Sequence, residues 1–201
     1  MSMKNLYLRL VLLILVTSCF ARLARGQGTV IVNGGFDLPE GASYSIAPWV
    51  GTGTLLYTAG GCQNADGPNS MGIISGLLYQ DVATAPGQSY LLTFYVAGWA
   101  PNGPLPVIHN LAVDWGTQRV GVTSFDSTGR TFQNMGWVQE TFQVQSSGAL
   151  TRLAFSNPNS ISNPNVPLLD AVQLVPIPEP ASWVLLGLAG ATVVARKWRL
   201  R

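Results

Sequence analysis

Apolar residues are distributed along this chain in three different ways. Near the N-terminus they form a block, Leu10–Val16, extended through Cys19 and Phe20. Near the C-terminus they form a second block, Ala181–Ala195, which contains no charged residue. Between the two, over residues 28–175, they come in short stretches punctuated by Gly and Pro every 8–12 residues. No window of ten or more residues in this body sustains a 3.6-residue period, so amphipathic helices are not expected. Short stretches between turn residues predict about eight to ten strands of a sandwich or barrel. They are Thr29–Val32, Gly76–Thr84, Ser89–Gly98, Val107–Trp115, Thr117–Thr123, Gly136–Gln145, Leu150–Ser156 and Leu168–Val175. Ala85-Pro86-Gly87-Gln88 places Pro and Gly as a tight turn requires.

Alternation within the strands assigns faces. In Trp137–Gln145, Val138, Phe142 and Val144 share one face, opposite Gln139, Thr141, Gln143 and Gln145. Glu140 interrupts the apolar face, which predicts an edge position or a polar partner. Ser89–Gly98 is apolar on both faces, as expected of a central strand covered on both sides. The long connections, Thr58–Ser70, Ala100–Pro106, Ser124–Met135 and Ser156–Pro167, are polar. The last carries a small tandem, Ser156-Asn157-Pro158-Asn159 and Ser162-Asn163-Pro164-Asn165, which reads as a rigid surface loop.

Charge separates the ends from the body. Residues 1–26 carry +4 and residues 178–201 carry +3, while the body sets three arginines against eight carboxylates. With charged residues at 10% and a mildly acidic body, neither a disordered chain nor a nucleic-acid partner is expected. The charged start, short apolar core and small residues Ala21, Ala24 and Gly26 describe a secretory signal peptide over 1–26. Two other readings stay open: a retained N-terminal anchor, and lipidation of Cys19 within Val16-Thr17-Ser18-Cys19.

At the other end, Pro178-Glu179-Pro180 leads into the apolar helix 181–195 and then Arg196-Lys197-Trp198-Arg199-Leu200-Arg201. Fifteen helical residues span roughly 22 Å, short of the hydrocarbon thickness of about 30 Å, so insertion needs flanking residues or a thinned bilayer. The basic cluster should remain cytoplasmic. The segment 176–201 resembles the PEP-CTERM sorting signal of exported bacterial proteins, in motif, spacing, apolar segment, basic cluster and position. The resemblance implies recognition by an exosortase, a membrane-embedded cysteine transpeptidase that cuts near Pro178, Glu179 and Pro180, with Arg196, Lys197 and Arg199 as the basic cluster. It also implies a Gram-negative host that makes exopolysaccharide, transient insertion in the inner membrane, and a final place at the cell surface or in extracellular matrix. A plain single-span tail anchor is the other reading.

Three further segments carry a second resemblance. They are Val32-Asn33-Gly34-Gly35-Phe36-Asp37, then Tyr79-Gln80-Asp81-Val82 with Pro86–Phe94, and Leu169-Asp170-Ala171-Val172-Gln173-Leu174. In this order they resemble the galactose-binding-like jelly roll, a superfamily rich in carbohydrate-binding modules. The implied fold class is an all-β jelly-roll sandwich over 28–175, flanked by the N-terminal signal helix and the C-terminal sorting helix. The resemblance places Asp37 and Asp170 beside a structural calcium ion, with Asp37 one methylene shorter than the usual Glu. Asp170 alternates with Leu168, Val172 and Leu174, and a carboxylate turned into a core needs a cation or N–H partners. Both partners stay open, the N–H groups being those of the first strand.

Catalytic constellations are poorly supplied. His109 is the only histidine, so a multi-His metal site is excluded. Cys62 stands in a loop, and nothing in the spacing brings it to His109. The carboxylates have no motif that pairs them for glycoside hydrolysis, and no phosphate-cradling loop follows a strand. Flat aromatic side chains suited to stacking on sugar rings are better represented: Trp49, Tyr57, Trp99, Trp115 and Trp137. Trp49 and Trp99, at expected strand–loop junctions, are the candidate ligand contacts. The sequence thus predicts an exported, non-catalytic binding module for polysaccharide, with a purely structural matrix protein and a glycan hydrolase as rivals.

Overall fold

The computed structural model describes residues 29–37, 46–58, 61–99, 108–159 and 165–178. The signal peptide expected over 1–26 and the sorting helix expected over 181–195 lie outside these residues. Eight antiparallel strands are formed: β1 (Val50–Tyr57), β2 (Ser70–Ala83), β3 (Ser89–Gly98), β4 (Ile108–Trp115), β5 (Gln118–Asp126), β6 (Val138–Gln145), β7 (Leu150–Ser156) and β8 (Pro167–Pro176). They follow one hydrogen-bonded path, β5-β4-β7-β2-β8-β3-β6, with β1 added alongside β2.

The path folds into two layers because β2 changes partners along its 14 residues. Its C-terminal half, Leu77–Ala83, pairs with β7, whereas Met71 and Gly72 pair with β8. The bend falls at Gly76, whose φ is +92°, and β1 follows it through a bulge at Gly53, φ +62°. A Cβ on either glycine would run into the other strand's backbone carbonyl, at Thr52 or Ser75. Glycine is therefore the residue both positions tolerate. The inner faces meet through Phe94 of β3 and Phe155 of β7, in edge contact at 5.2 Å, and through Tyr90 and Trp115 at 6.1 Å. Leu78, Leu92, Leu111, Leu153 and Leu174 are fully buried around them.

Several expectations are corrected. Thr29–Val32 is not a strand, although it lies beside β8 through Val30 N–H to the Leu174 carbonyl at 2.8 Å. Its partner on the other side is a side chain: Gln80 accepts from Val32 N–H at 3.0 Å and donates to Val32 O at 2.9 Å. Left-handed Asn33 and Phe36 then turn the segment away. β1 falls in none of the stretches that the sequence pattern marks as strands. β3 sits between β8 and β6, but only one of its faces is covered throughout. Leu92, Phe94 and Val96 are buried, whereas Leu91 is 40% exposed and Thr93 and Tyr95 are half-buried. Glu140 has both features anticipated for it: β6 ends the path, and Thr123 donates to its carboxylate at 2.7 Å.

Candidate functional site

The partly open outer face of β8-β3-β6 is where polar chemistry gathers, and β8 is shaped for it. In the β3–β8 ladder Thr93 opposes Gln173 but Tyr95 opposes Asp170, so β8 carries an extra residue. That residue is in the bulge at Ala171, which is left-handed with φ 49°. The bulge reverses the alternation. Val172 and Leu174 enter the core, while Asp170 emerges on the outer face with Tyr95, so Asp170 does not share the core face expected for it. It is nonetheless fully buried, because the loop after β1 closes over it.

Asp170 anchors that loop. Its Oδ2 accepts the N–H groups of Ala65 and Asp66 at 2.8 and 2.9 Å, and its Oδ1 accepts that of Ala171 at 2.6 Å. Burial pushes the carboxyl up to about 7, opposed by these three N–H donors and reinforced by the charge of Asp37. The partners are backbone N–H groups, one of the two kinds anticipated, but two come from the 61–69 connection and the third from the β8 bulge, none from the first strand. Asp37 lies close by. Its Oδ1 accepts from Asn69 at 3.3 Å, and burial, with the nearby charge of Asp66, raises its carboxyl above the usual range.

Gln63 joins this loop to the connection before β6. Its N–H donates to Phe132 O at 2.7 Å, its side-chain oxygen accepts from Met135 N–H at 3.0 Å, and its carbonyl accepts from the Trp137 indole at 2.8 Å. Between the two connections and the strands lies a cleft of about 470 Å³. Tyr95 and Trp137 supply rings, Gln63, Asn64, Asn134 and Gln173 supply amides, and among the described residues Asp66 is the one charged side chain lining it. A hollow of about 540 Å³ at the opposite end is lined by Gln118, Gln143 and Gln145. Its one aromatic residue, Trp115, is only 6% exposed and donates its indole N–H to Gln145 O, so no flat ring is offered there.

The two tryptophans singled out from sequence do not line the cleft. Trp49 is 3% exposed, wedged between Phe36 and Phe155, with its indole N–H on Asn33 O at 2.9 Å. A side chain so enclosed is part of the core and has no face for a ligand. Trp99 is half-buried, with the rings of Tyr57 and Phe132 at 4.7 and 4.5 Å, in an aromatic cluster flanking the core. The rings that do line it are Tyr95 and Trp137. Sequence offers Trp137 only as one aromatic among five, because this half-buried ring is placed in the cleft by a hydrogen bond to a loop 74 residues away.

His109 and Cys62 remain apart, as expected. His109 Nε2 is 3.0 Å from Ser127 Oγ deep in the sandwich, and Cys62 is a half-buried thiol whose Sγ donates to Asn64 at 3.8 Å. Pro178 is exposed at the end of the described chain, while Glu179, Pro180, Arg196, Lys197 and Arg199 lie outside it.

The donors around Asp170 do not fit calcium. Both of its oxygens face N–H groups, whose hydrogens are positively polarised, whereas calcium requires roughly six to eight oxygen ligands. Among the described residues no group of three or more His, Cys, Asp or Glu side chains could hold a metal ion.

Comparison with known proteins agrees with this architecture. No curated protein matches the chain. Among solved structures, a Stig cyclase, Fisc, from Fischerella sp. TAU superposes with a TM-score of 0.51 at 15% identity, covering 77% of this chain and 100% of that one. TmCBM61 in complex with β-1,4-galactotriose gives 0.49 at 14% identity, covering 74% and 99%. A family 35 carbohydrate-binding module from Clostridium thermocellum gives 0.43 at 14%, covering 63% and 90%. The fold is an all-β jelly-roll sandwich. Residues 176–201 match the PEP-CTERM protein-sorting motif, which marks an exported protein. Residues 38–175 match the model described as protein of unknown function (DUF642), and the chain belongs to that family.

Proposed function

We propose that this protein is an exported, non-catalytic module that binds polysaccharide in the cleft between Tyr95 and Trp137. The observation that carries the reading is the composition of that cleft. Sugar rings present apolar C–H faces and a rim of hydroxyls, and the cleft offers two aromatic rings together with four amide side chains. Strand β3 and the Gln63 hydrogen bonds hold the rings before a ligand arrives, which limits the ordering cost of binding. Glycoside hydrolysis generally uses two carboxylates flanking the scissile bond. Among the described residues Asp66 is the only one lining this cleft, which favours binding over turnover.

The sorting motif supports delivery to the envelope or extracellular matrix of a Gram-negative bacterium, with exosortase acting near Pro178–Pro180 and the apolar tail crossing the inner membrane beforehand. The test is affinity electrophoresis of the detergent-purified full chain through gels containing different polysaccharides. The wild type should be retarded by at least one polysaccharide, and Trp137→Ala should lose roughly tenfold or more in affinity, as expected of a central aromatic contact. Migration unaffected by every polysaccharide would favour a structural matrix protein without a ligand. Release of reducing sugar would favour the hydrolase.

A further inference from the structure

The jelly-roll resemblance leads to a cation beside Asp170, and the donors found there are N–H groups. We infer that in this chain the peptide N–H groups of Ala65, Asp66 and Ala171 fill the place of that cation, making Asp170 the metal-independent positioning residue of the cleft. Three observations converge. Ala65, Asp66 and Ala171 all line the cleft, and all three donate to the same carboxylate. Two of them belong to a loop more than 100 residues away in sequence, so one buried side chain fixes two separate walls. The third is the left-handed residue of the β8 bulge, a conformation that costs an alanine energy unless neighbouring contacts enforce it. Charge-assisted N–H···O⁻ bonds are about twice as strong as neutral ones, and three of them oppose the cost of burying the ionised carboxylate without a metal. Asp37 is held apart from these donors, with Asn69 donating to one of its oxygens and its carboxylate beside Gly67.

The inference concerns how the cleft is built and holds whatever ligand the cleft accepts. It is tested by hydrogen–deuterium exchange on the detergent-purified full chain, with calcium ion and EDTA as the probes. Calcium at about 2 mM exceeds the Kd of extracellular calcium modules. It should leave both the exchange of residues 61–69 and the melting temperature where EDTA leaves them. Slower exchange or a higher melting temperature in calcium overturns the inference. Asp170→Leu should speed exchange at 61–69 by roughly tenfold or more while β4 and β5 stay protected, the pattern of local opening. Asp170→Asn retains one acceptor oxygen and should recover part of the protection. Equal loss of protection across the whole sandwich in both variants would show a general packing role and refute positioning. If Asp170→Leu does not fold, Asp170→Asn and the calcium comparison still decide the matter.

Discussion

Acidification should cost this sandwich stability through a single buried side chain, and the amount can be worked out. His109 is fully buried on β4, beneath Gly98 of β3, where the missing Cβ makes room for its ring. Nε2 pairs with Ser127, and among the described residues Nδ1 makes no hydrogen bond of good geometry. Burial drives its pKa down from 6.5 to about 4, with the Val166 backbone and the charge of Asp126 opposing weakly. A histidine depressed in this way contributes stability that is complete above pH 6.5. That contribution shrinks as pH falls towards 4, because the unfolded chain takes up a proton the folded chain refuses. A shift of that size corresponds to about 3 kcal/mol, a large part of the stability of an ordinary domain. The assay is urea unfolding followed by tryptophan fluorescence from pH 8 to pH 4, on wild type and His109→Gln. Other titrating groups are common to both proteins, so the difference between the two curves isolates His109. It should be level above the histidine range and then narrow by about 3 kcal/mol down to pH 4. A difference that stays level throughout would show that the ring titrates normally in the folded protein, and the argument from burial would be wrong.

The remaining predictions concern packing and surface. Trp49→Ala should lower stability by about 3–5 kcal/mol in urea unfolding, and the fraction that remains folded should bind polysaccharide as the wild type does. Gly76→Ala should lower the melting temperature by the equivalent of about 1–3 kcal/mol, through left-handed strain and the Thr52 carbonyl. Arg152→Ala breaks a pair with Asp81 whose side chains are 45% and 40% exposed, so its urea midpoint should barely move even though the guanidinium also covers Tyr79.

What the sequence made legible was local. Ser89–Gly98, Leu150–Ser156 and Leu168–Val175 announce themselves through apolar residues between turn signals, and they form β3, β7 and β8 within a residue or two. β1 does not, because Val-Gly-Thr-Gly-Thr has no alternation of apolar with polar residues and its pairing depends on the bend in β2. Asp170 stood out as a carboxylate among leucines, but a single bulge moved it to the opposite face, and bulges leave no periodic trace. The cleft was hidden for a related reason: Gln63, Tyr95, Trp137 and Gln173 sit on four separate segments brought together only by tertiary folding. Trp49 misled because a tryptophan before a Gly-rich stretch looks like a rim residue, while Asn33, Phe36 and Phe155 enclose it.

The position of β8 has a mechanical consequence. This strand contributes Ala171 and Gln173 to the cleft and continues to Pro176, where Ile177 is clasped by Ser89 and Gln88 just before the sorting motif. Tension applied at the C-terminal end therefore enters the domain along the axis of a strand paired on both flanks. Such a load shears many bonds together instead of unzipping them singly, and it reaches the cleft wall without crossing a loop. A module pulled between a held polymer and its own tail would resist most strongly along that line.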